Sequence, residues 1–473
     1  MMAVMARIVP TALALCLAAP LAACPLLHVE HLDPQVAVGS AEPSVTVAGD
    51  DFLLAWQARL DDGVAALRFR RFTVDGRRLG GGEIARGSGW FLNRADFPAL
   101  QVLDNGDWIA HWLQRSGSGR YSYDIRSTRS RDGGDSWSAP FTLHDDGTQS
   151  EHGFVAYAPA GGDAAWAAWL DGRHTAGSGG HADAAHAQHA AAGAMSLRVA
   201  RLDREGVSAT QELDDRVCDC CQVDAARAGT ATLLVYRDRS DDELRDISLL
   251  RHDGERWQPP QPLFADGWRI AGCPVNGPAI AARGRHVAAA AYSEAGGEAA
   301  VRLRSSDDAG LHWHPPVLVA GATTLGRLDL AALDDGHFLL ARIDSEGDDA
   351  VLRLSLHGRR GEAIAQVDLV RMPASRLVGF PRLAVQGNTA FVAWTRTIDG
   401  RPQVRASRLR LGACVVETFE AKSRRGEDRF SGIRRPIAPL WGKKRRKYGP
   451  HPAALQPGRL LPRRLLDYCH TAP

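Results

Sequence analysis

Four cysteines in the middle of this 473-residue sequence have a spacing that suits thiol chemistry. Cys218, Cys220 and Cys221 form a Cys-x-Cys-Cys run, and Cys273 follows further along the chain. Four cysteines allow three disulfide pairings. Thiolate sulfur is also the ligand that soft metals such as zinc and copper(I) prefer. The sequence therefore predicts either disulfides that brace the fold or a metal site.

A histidine-rich segment, residues 174–190, could add ligands to the cysteines. It is rich in Gly and Ala and contains His174, His181, His186 and His189. Such tracts can bind metal, and they also occur as solvated loops. We therefore predict no obligatory cofactor, with a metal ion at this Cys/His cluster as the alternative.

Charged, amide and aromatic side chains stand at the ends of short apolar segments. Paired arginines can clamp a carboxylate, and acids with histidines can transfer protons. The candidate catalytic residues are Asp96, Asp171, Arg173, Arg237 and Asp238. The candidate ligand-binding residues are Tyr123, His152, Arg245, Asn276 and Arg396. The alternative is that these arginines and acids pair with one another and only stabilise the fold.

A repeated hairpin is expected to position these side chains. An apolar strand, a Gly/Asp turn and a second apolar strand recur in copies that begin at Glu42, Asp96, Glu151, Cys220, Asn276, Gly326 and Phe380. A third strand with an apolar-Arg-apolar core follows, for example Leu67-Arg68-Phe69. Several copies end in a fourth, proline-marked strand. Radially repeated four-stranded units are typical of a β-propeller.

The repeat predicts an all-β chain of four-stranded antiparallel blades over residues 24–411. Seven blades are favoured, and six are the alternative. The last copy lacks a fourth strand, so an N-terminal strand at Leu32–Val38 is expected to close the ring. In a propeller, inner strands begin and second strands end on one face near the axis. The candidate residues should therefore share one polar mouth.

Two short motifs connect third and fourth strands, at residues 130–137 and 306–313. They read Ser-x-Asp-x-Gly-x-Ser-Trp and Ser-x-Asp-x-Gly-x-His-Trp. Asp can accept backbone N–H bonds in a tight turn, and Gly can adopt positive φ, so we interpret both motifs as structural. They match the Asp box. Over residues 30–410 the chain resembles the Asp-box (BNR-repeat) sialidase-like propellers, in particular a group of exported bacterial lipoproteins.

The resemblance implies binding or hydrolysis of glycans, with exo-sialidase as the narrower expectation. Sialidases use three arginines around a sugar carboxylate, an acid/base Asp and a Tyr nucleophile. Arg173, Arg237 and Arg396 would supply the arginines, and Tyr123 or Tyr292 the nucleophile. The family's Arg-Ile-Pro motif is replaced here by Ala41-Glu42-Pro43. The alternatives are a non-catalytic propeller that binds glycan or protein, and a Cys/His metal-binding envelope protein.

The N-terminus reads as an export signal covering residues 1–23. An apolar run ends in Leu21-Ala22-Ala23-Cys24, which resembles a bacterial lipobox. This resemblance implies lipidation at Cys24 and anchoring in the cell envelope, at the periplasm or outer membrane. Ordinary signal cleavage, with Cys24 incidental, is the alternative.

Charge is distributed unevenly along the chain. Residues 412–473 contain 14 Lys and Arg against 5 Asp and Glu, whereas the whole chain has a net charge of +2. The remaining body is acidic, which argues against a nucleic-acid partner. We expect a monomer that binds a glycan or another polar anionic ligand, with residues 412–473 forming a basic, disordered tail.

Overall fold

A computed structural model describes residues 27–176, 193–375 and 378–412. The predicted signal with Cys24, most of the histidine-rich segment, and the tail beyond Gly412 lie outside the described residues. In the described part of the chain the helices are three short 3-10 turns, at Asp61–Gly63, Arg173–Thr175 and Ala295–Gly297. None of these turns could span a membrane.

The strands form seven four-stranded antiparallel sheets, which confirms the predicted propeller and its blade count. Strand β1 (Leu27–Leu32) belongs to the last blade. Blade 1 contains β2 (Ser40–Ala48), β3 (Asp51–Arg59), β4 (Val64–Thr73) and β5 (Arg78–Ser88). Blade 2 contains β6 (Leu100–Val102), β7 (Trp108–Arg115), β8 (Tyr123–Ser130) and β9 (Phe141–Thr142). Blade 3 contains β10 (His152–Gly161), β11 (Ala164–Asp171), β12 (Ser196–Leu202) and β13 (Val207–Asp214).

The remaining blades follow in chain order. Blade 4 contains β14 (Asp224–Ala228), β15 (Ala231–Arg237), β16 (Ile247–His252) and β17 (Gln261–Phe264). Blade 5 contains β18 (Ala279–Arg283), β19 (His286–Ser293), β20 (Ala300–Ser306) and β21 (Val317–Ala320). Blade 6 contains β22 (Thr324–Ala332), β23 (Phe338–Glu346), β24 (Asp349–His357) and β25 (Ala363–Pro373). Blade 7 contains β26 (Arg382–Gln386), β27 (Thr389–Ile398), β28 (Arg401–Leu411) and β1.

The N-terminal strand closes the ring, but its position differs from the expectation. Strand β1 pairs with β28, from Leu27 opposite Leu411 to Leu32 opposite Ala406. The predicted strand at Leu32–Val38 is therefore wrong in its bounds. Pro34 has no N–H for a ladder, and Asp33 instead accepts a hydrogen bond from the Gln35 N–H at 2.9 Å.

The two Ser-x-Asp-x-Gly motifs, at residues 130–137 and 306–313, form the same hydrogen-bonded turn. In the first, Ser130 Oγ donates to Asp132 Oδ1 at 2.8 Å and accepts from the Gly134 N–H at 2.8 Å. Gly134 has φ +95° and packs so closely that an added Cβ would lie 2.6 Å from Trp108. This turn follows β8 directly, at the opposite end of that strand from Tyr123. Eight residues of strand separate the two ends by about 23 Å.

Candidate functional site

The loop that connects blades 1 and 2 contacts residues of blade 3 and of the segments that precede blades 4 and 7. Its Ala95 carbonyl accepts a hydrogen bond from Gln222 Nε2, ahead of blade 4, at 2.7 Å. Asp96 Oδ1 accepts from the Phe154 N–H of blade 3 at 2.7 Å. The Phe97 ring packs against Phe380, which precedes blade 7, with a centroid distance of 5.5 Å. This loop therefore fixes the mouth on the face where inner strands begin.

Asp96 takes part in a buried chain of three side chains, which we call the Asp–Tyr–Glu chain. The Tyr123 hydroxyl lies 2.8 Å from Asp96 Oδ2 and 2.8 Å from Glu151 Oε1. All three side chains are buried. Gly153 leaves the necessary space, because a Cβ at that position would lie 1.9 Å from Asp96 Oδ2.

This arrangement needs a second proton besides that of the tyrosine. One hydroxyl proton cannot satisfy two carboxylates, so one carboxyl group must itself donate. Desolvation raises the pKa of Asp96 to about 7, against opposing hydrogen bonds from the Phe154 N–H and Tyr123. Protonated Asp96 can donate to Tyr123, which in turn donates to Glu151. Asp96 in the Asp–Tyr–Glu chain can therefore hold this proton near neutral pH.

A second cluster lies beside this chain, and we call it the blade 2–3 mouth. Its side chains come from the start of β8, the link between blades 2 and 3, the start of β10, and the end of β11. Its members are Asp124, His144, Asp146, His152, Asp171 and Arg173.

Two histidines stack at the centre of the blade 2–3 mouth, with ring centroids 3.7 Å apart and nearly parallel planes. His144 Nδ1 lies 2.8 Å from Asp146 Oδ1, and His144 Nε2 accepts from the Ile125 N–H at 3.4 Å. These contacts fit a neutral ring. His152 Nδ1 lies 3.3 Å from the Tyr123 carbonyl oxygen, and its Nε2 lies 3.2 Å from Asp146 Oδ1 without the geometry of a hydrogen bond. Both neighbours are acceptors, which fits a protonated ring.

The pKa directions agree with this assignment. Burial and the charge of His152 lower the pKa of His144. Burial alone would lower the pKa of His152, but the carboxylates of Asp146 and Asp171 outweigh it and raise that pKa. Although burial opposes ionisation of Asp146, the two histidines and Thr148 hold its pKa well below the ordinary value.

Arg173 pairs with Asp171 at the end of β11 and lies on its solvent side. Arg173 Nε and Nη2 donate to the two Asp171 oxygens at 2.7 and 2.8 Å. Trp169 Nε1 donates to Asp171 at 2.8 Å and so fixes the carboxylate from behind. The Arg173 side chain is 17% exposed and that of Asp124 is 29% exposed, whereas Asp171 is fully buried. A ligand would therefore meet Arg173 and Asp124 first.

The candidate residues on blades 4 and 5 have a different role from the one expected. Arg237 is buried and donates to the carbonyls of Arg245, Asn276 and Tyr292, at 2.7 to 3.2 Å. Its guanidinium also lies 4.8 Å from the centre of the Trp268 ring. The expectation that Arg237 clamps a ligand carboxylate therefore does not fit its position, because backbone carbonyls occupy its donors.

Two further candidates also hold the fold together. Asp238 accepts from the Arg239 N–H at 2.7 Å and from Ser248 Oγ at 3.1 Å. Asn276 accepts from the Arg327 N–H at 2.8 Å and donates to the Leu325 carbonyl at 3.2 Å, linking blades 5 and 6.

The three arginines of the expected trio, Arg173, Arg237 and Arg396, lie in different environments. Arg173 pairs with Asp171, Arg237 is buried on backbone carbonyls, and Arg396 is exposed at the end of β27 in blade 7. Burial and blade position, which decide these roles, cannot be seen from residue type alone.

The cysteines do come together, ahead of blades 4 and 5. Ligand atoms of Cys218, Cys220 and Cys221 all lie within 4.8 Å of one another. Cys273 contacts the Cys220 thiol. Burial opposes ionisation of Cys218, but hydrogen bonds from Cys220 and Cys221, with the charge of Arg245, hold its pKa well below the usual range.

The expected histidine contribution to this cluster is not seen at His174. Its Nε2 lies 2.9 Å from Glu212 Oε2 in blade 3. His181, His186 and His189 lie outside the described residues.

Sequence reasoning missed His144 and Asp146. Both lie in the link from the outer strand of blade 2 to the inner strand of blade 3, which has no periodic pattern. Propeller topology could have indicated both residues, because each link from an outer strand to the next inner strand must return the chain to the mouth.

A cavity at blade 1 lies away from these clusters. It has a volume of about 430 Å³ and is lined by residues that include Val36, Trp56 and Arg70. Arg70 there donates to the Pro34 carbonyl at 2.6 Å. This contact holds the segment after β1 in place.

No family model matches the chain, and no curated protein matches it. Similar solved structures include an ulvan lyase from a new family of polysaccharide lyases, at 11% identity and a TM-score of 0.48, covering 80% of this chain and 95% of that one. They also include the Penicillium chrysogenum α-L-arabinanase in complex with arabinobiose, at 12% identity and a TM-score of 0.41, covering 80% and 96%.

The Trypanosoma rangeli sialidase is similar at 10% identity and a TM-score of 0.41, covering 85% of this chain and 65% of that one. Solved structures similar to this propeller thus include a sialidase and two other glycan-processing enzymes. At these identities and TM-scores, the similarities do not assign an activity to this chain.

Proposed function

We propose that this protein binds a glycan at the blade 2–3 mouth and acts there on hydroxyl-rich sugars. One observation carries the proposal: six ionisable side chains from four chain segments converge there, around a stacked histidine pair. Two of these side chains, Asp124 and Arg173, reach solvent. Convergent polar groups in a mouth fixed by rigid strands are typical of a ligand site.

The charge of the site favours an uncharged sugar. Asp124, Asp146 and Asp171 contribute three carboxylates, against Arg173 and a protonated His152. The resulting negative charge repels a ligand carboxylate, whereas carboxylates accept hydrogen bonds readily from sugar hydroxyls. We therefore expect neutral oligosaccharides to bind more tightly than their sialylated counterparts.

Exo-sialidase activity is the second candidate, and it has one supporting observation. Tyr123 lies between two carboxyl groups, and a sialidase nucleophile needs such an activating neighbour. Tyr123 is fully buried, however, and Arg237 is held by backbone carbonyls. Turnover of a fluorogenic sialoside by the wild type, and its loss in Tyr123→Phe, would support this narrower activity.

Binding to a printed panel of neutral oligosaccharides and their sialylated counterparts tests the main proposal. Asp124→Asn should weaken binding of the selected neutral glycan by about tenfold or more, because a charge-assisted hydrogen bond contributes roughly 1.5–3 kcal/mol. Asp334→Asn is the matched control, since Asp334 is exposed in the β22–β23 turn on the opposite face.

Arginine offers a second matched pair of variants. Arg173→Gln should weaken binding, and Arg283→Gln should not, because Arg283 pairs with Asp334 away from the mouth. Equal affinity in all four variants, or a clear preference of the wild type for sialylated glycans, would contradict the proposed site.

We further propose that the protein is lipid-anchored through Cys24 in the bacterial cell envelope. The lipobox-like Leu21-Ala22-Ala23-Cys24 supports this localisation. Strand β1 begins at Leu27, so at most about 11 Å of extended chain separates Cys24 from blade 7. An anchor there would hold the propeller close to the membrane surface.

A further inference from the structure

The cysteine cluster is formed by residues other than those of the blade 2–3 mouth. Cys218, Cys220 and Cys221 precede β14, and Cys273 precedes β18. We propose that the protein binds one soft metal ion, Zn²⁺ or Cu⁺, through the thiolates of Cys218, Cys220 and Cys221, with Cys273 as the fourth ligand.

The spacing of the sulfur atoms suits a single ion. Zinc–sulfur bonds of about 2.3 Å in a tetrahedral shell place neighbouring sulfurs about 3.8 Å apart. The Sγ atoms of Cys218, Cys220 and Cys221 lie within 4.8 Å of one another, those of Cys218 and Cys221 are 2.7 Å apart, and Cys273 neighbours Cys220. The three clustered sulfurs are therefore close enough for one ion, and side-chain rotation that separates Cys218 Sγ from Cys221 Sγ would make room for it.

The backbone around the cluster is already fixed. The Cys218 N–H donates to the Arg237 carbonyl at 3.0 Å. Gln222 holds the other end, because its Nε2 donates to the Ala95 carbonyl and its Oε1 accepts from the Gly277 N–H at 3.0 Å. Gly277 lies in the same segment as Cys273, so one side chain ties together both cysteine-bearing segments.

The residues around the sulfurs provide charge compensation. Arg245 Nη1 donates to Cys218 Sγ at 3.4 Å, while its Nε and Nη2 donate to Glu243 at 2.9 and 2.7 Å. Arg239 donates to Asp219 at 2.9 Å and also to Glu243. A multi-thiolate site carries excess negative charge, and outer hydrogen bonds to sulfur of this kind stabilise it. Two buried arginines beside the cysteines therefore fit a site that holds negative charge.

The competing state is oxidation of the same cysteines to disulfides. Exported proteins meet an oxidising environment, and four clustered cysteines can form two bridges. A bridged cluster would retain neither free thiols nor metal, so the two states differ in both metal content and thiol count.

The test loads the reduced full chain with Zn²⁺, or with Cu⁺ under anaerobic conditions, and then removes unbound ion by gel filtration. Elemental analysis should give about one ion per chain, and a thiol reagent should react with four more cysteines after a chelator is added. Competition with chelators separates zinc from copper. X-ray absorption should show a first shell made of sulfur.

Variants assign the site to these cysteines. Cys220→Ser should weaken metal binding by about tenfold or more, and Arg245→Gln by about tenfold through the outer shell. Cys414→Ser and Cys469→Ser are matched controls from outside the described residues. Comparison of the metal-free circular dichroism spectra excludes misfolding as the cause.

Three results would overturn the inference. These are no retained metal in a fully reduced chain, an intact mass that shows bridged cysteines in protein isolated from the envelope, and equal metal loss in the Cys414→Ser control. Glycan binding is measured separately, so failure here leaves the proposed function untouched.

Discussion

Replacing Asp96 by asparagine should change how the stability of the protein depends on pH. In the Asp–Tyr–Glu chain, the Tyr123 hydroxyl lies 2.8 Å from both carboxyl groups, so Asp96 in its protonated form can donate to Tyr123 while Tyr123 donates to Glu151. Asparagine preserves this order, because its amide N–H can donate to Tyr123 and its oxygen can still accept from the Phe154 N–H. The substitution therefore keeps the contacts and removes the titration.

The size of the effect follows from the pKa. Burial raises the pKa of Asp96 from 3.8 to about 7. Between these values the folded chain holds a proton that the unfolded chain has lost, so folding stability decreases as pH rises. Each pH unit below the folded-state pKa corresponds to about 1.4 kcal/mol, so the rise from pH 5 to pH 7 costs about 3 kcal/mol and the rise to pH 8 adds little. Between pH 5 and pH 8, the unfolding free energy of Asp96→Asn should therefore rise by about 3 kcal/mol relative to that of the wild type.

Urea unfolding at pH 5, 6, 7 and 8 measures the difference between the two proteins. The difference is needed because desolvation also raises the pKa of Glu42 and Asp224 to about 7, and both groups titrate in each protein. Asp334→Asn is the surface control and should show no trend. Parallel stability curves for the wild type and Asp96→Asn would refute the assigned proton.

Other substitutions test the remaining contacts. Ser306→Ala should lower the unfolding free energy by about 1–2 kcal/mol, because the buried Gly310 N–H loses its acceptor. His312→Ala, on the exposed side of the same turn, is the control and should have little effect. Arg237→Met should cost about 3 kcal/mol or more, because three carbonyls lose their donor, whereas Arg396→Met at an exposed position should be neutral in the same denaturation assay. Cys24→Ala should move the protein from the membrane fraction to the soluble fraction, and unchanged fractionation would exclude the lipid anchor.

Much of the fold could be predicted because its signals are local and repeated. The Gly/Asp turns and apolar alternation place all seven hairpins, and the Ser-x-Asp-x-Gly motifs mark two of the strand connections. The closing strand lies earlier in the chain than predicted, at Leu27–Leu32. The apolar pattern of Leu32–Val38 favours a strand, but Pro34 has no N–H to donate to a ladder. Here one residue, Pro34, limits where the closing strand can lie, and hydrophobic periodicity alone does not show this.

The site was harder to predict, because its roles depend on burial and on links without a pattern. Asp96, Tyr123, His152, Asp171 and Arg173 were chosen from topology, and the structure brings them together. His144 and Asp146 lie in an irregular link and gave no periodic signal. The structural role of Arg237 follows from three carbonyls that come from distant parts of the chain.

Carboxylate labelling tests the proposed glycan site most directly. Asp124 is 29% exposed at the mouth and should react with a water-soluble carbodiimide, as should Asp334 on the opposite face. Saturating amounts of the neutral oligosaccharide selected from the panel should protect Asp124 and leave Asp334 fully labelled, as read by peptide mass spectrometry. Unchanged labelling of Asp124, with the same glycan bound, would contradict the assignment of the blade 2–3 mouth.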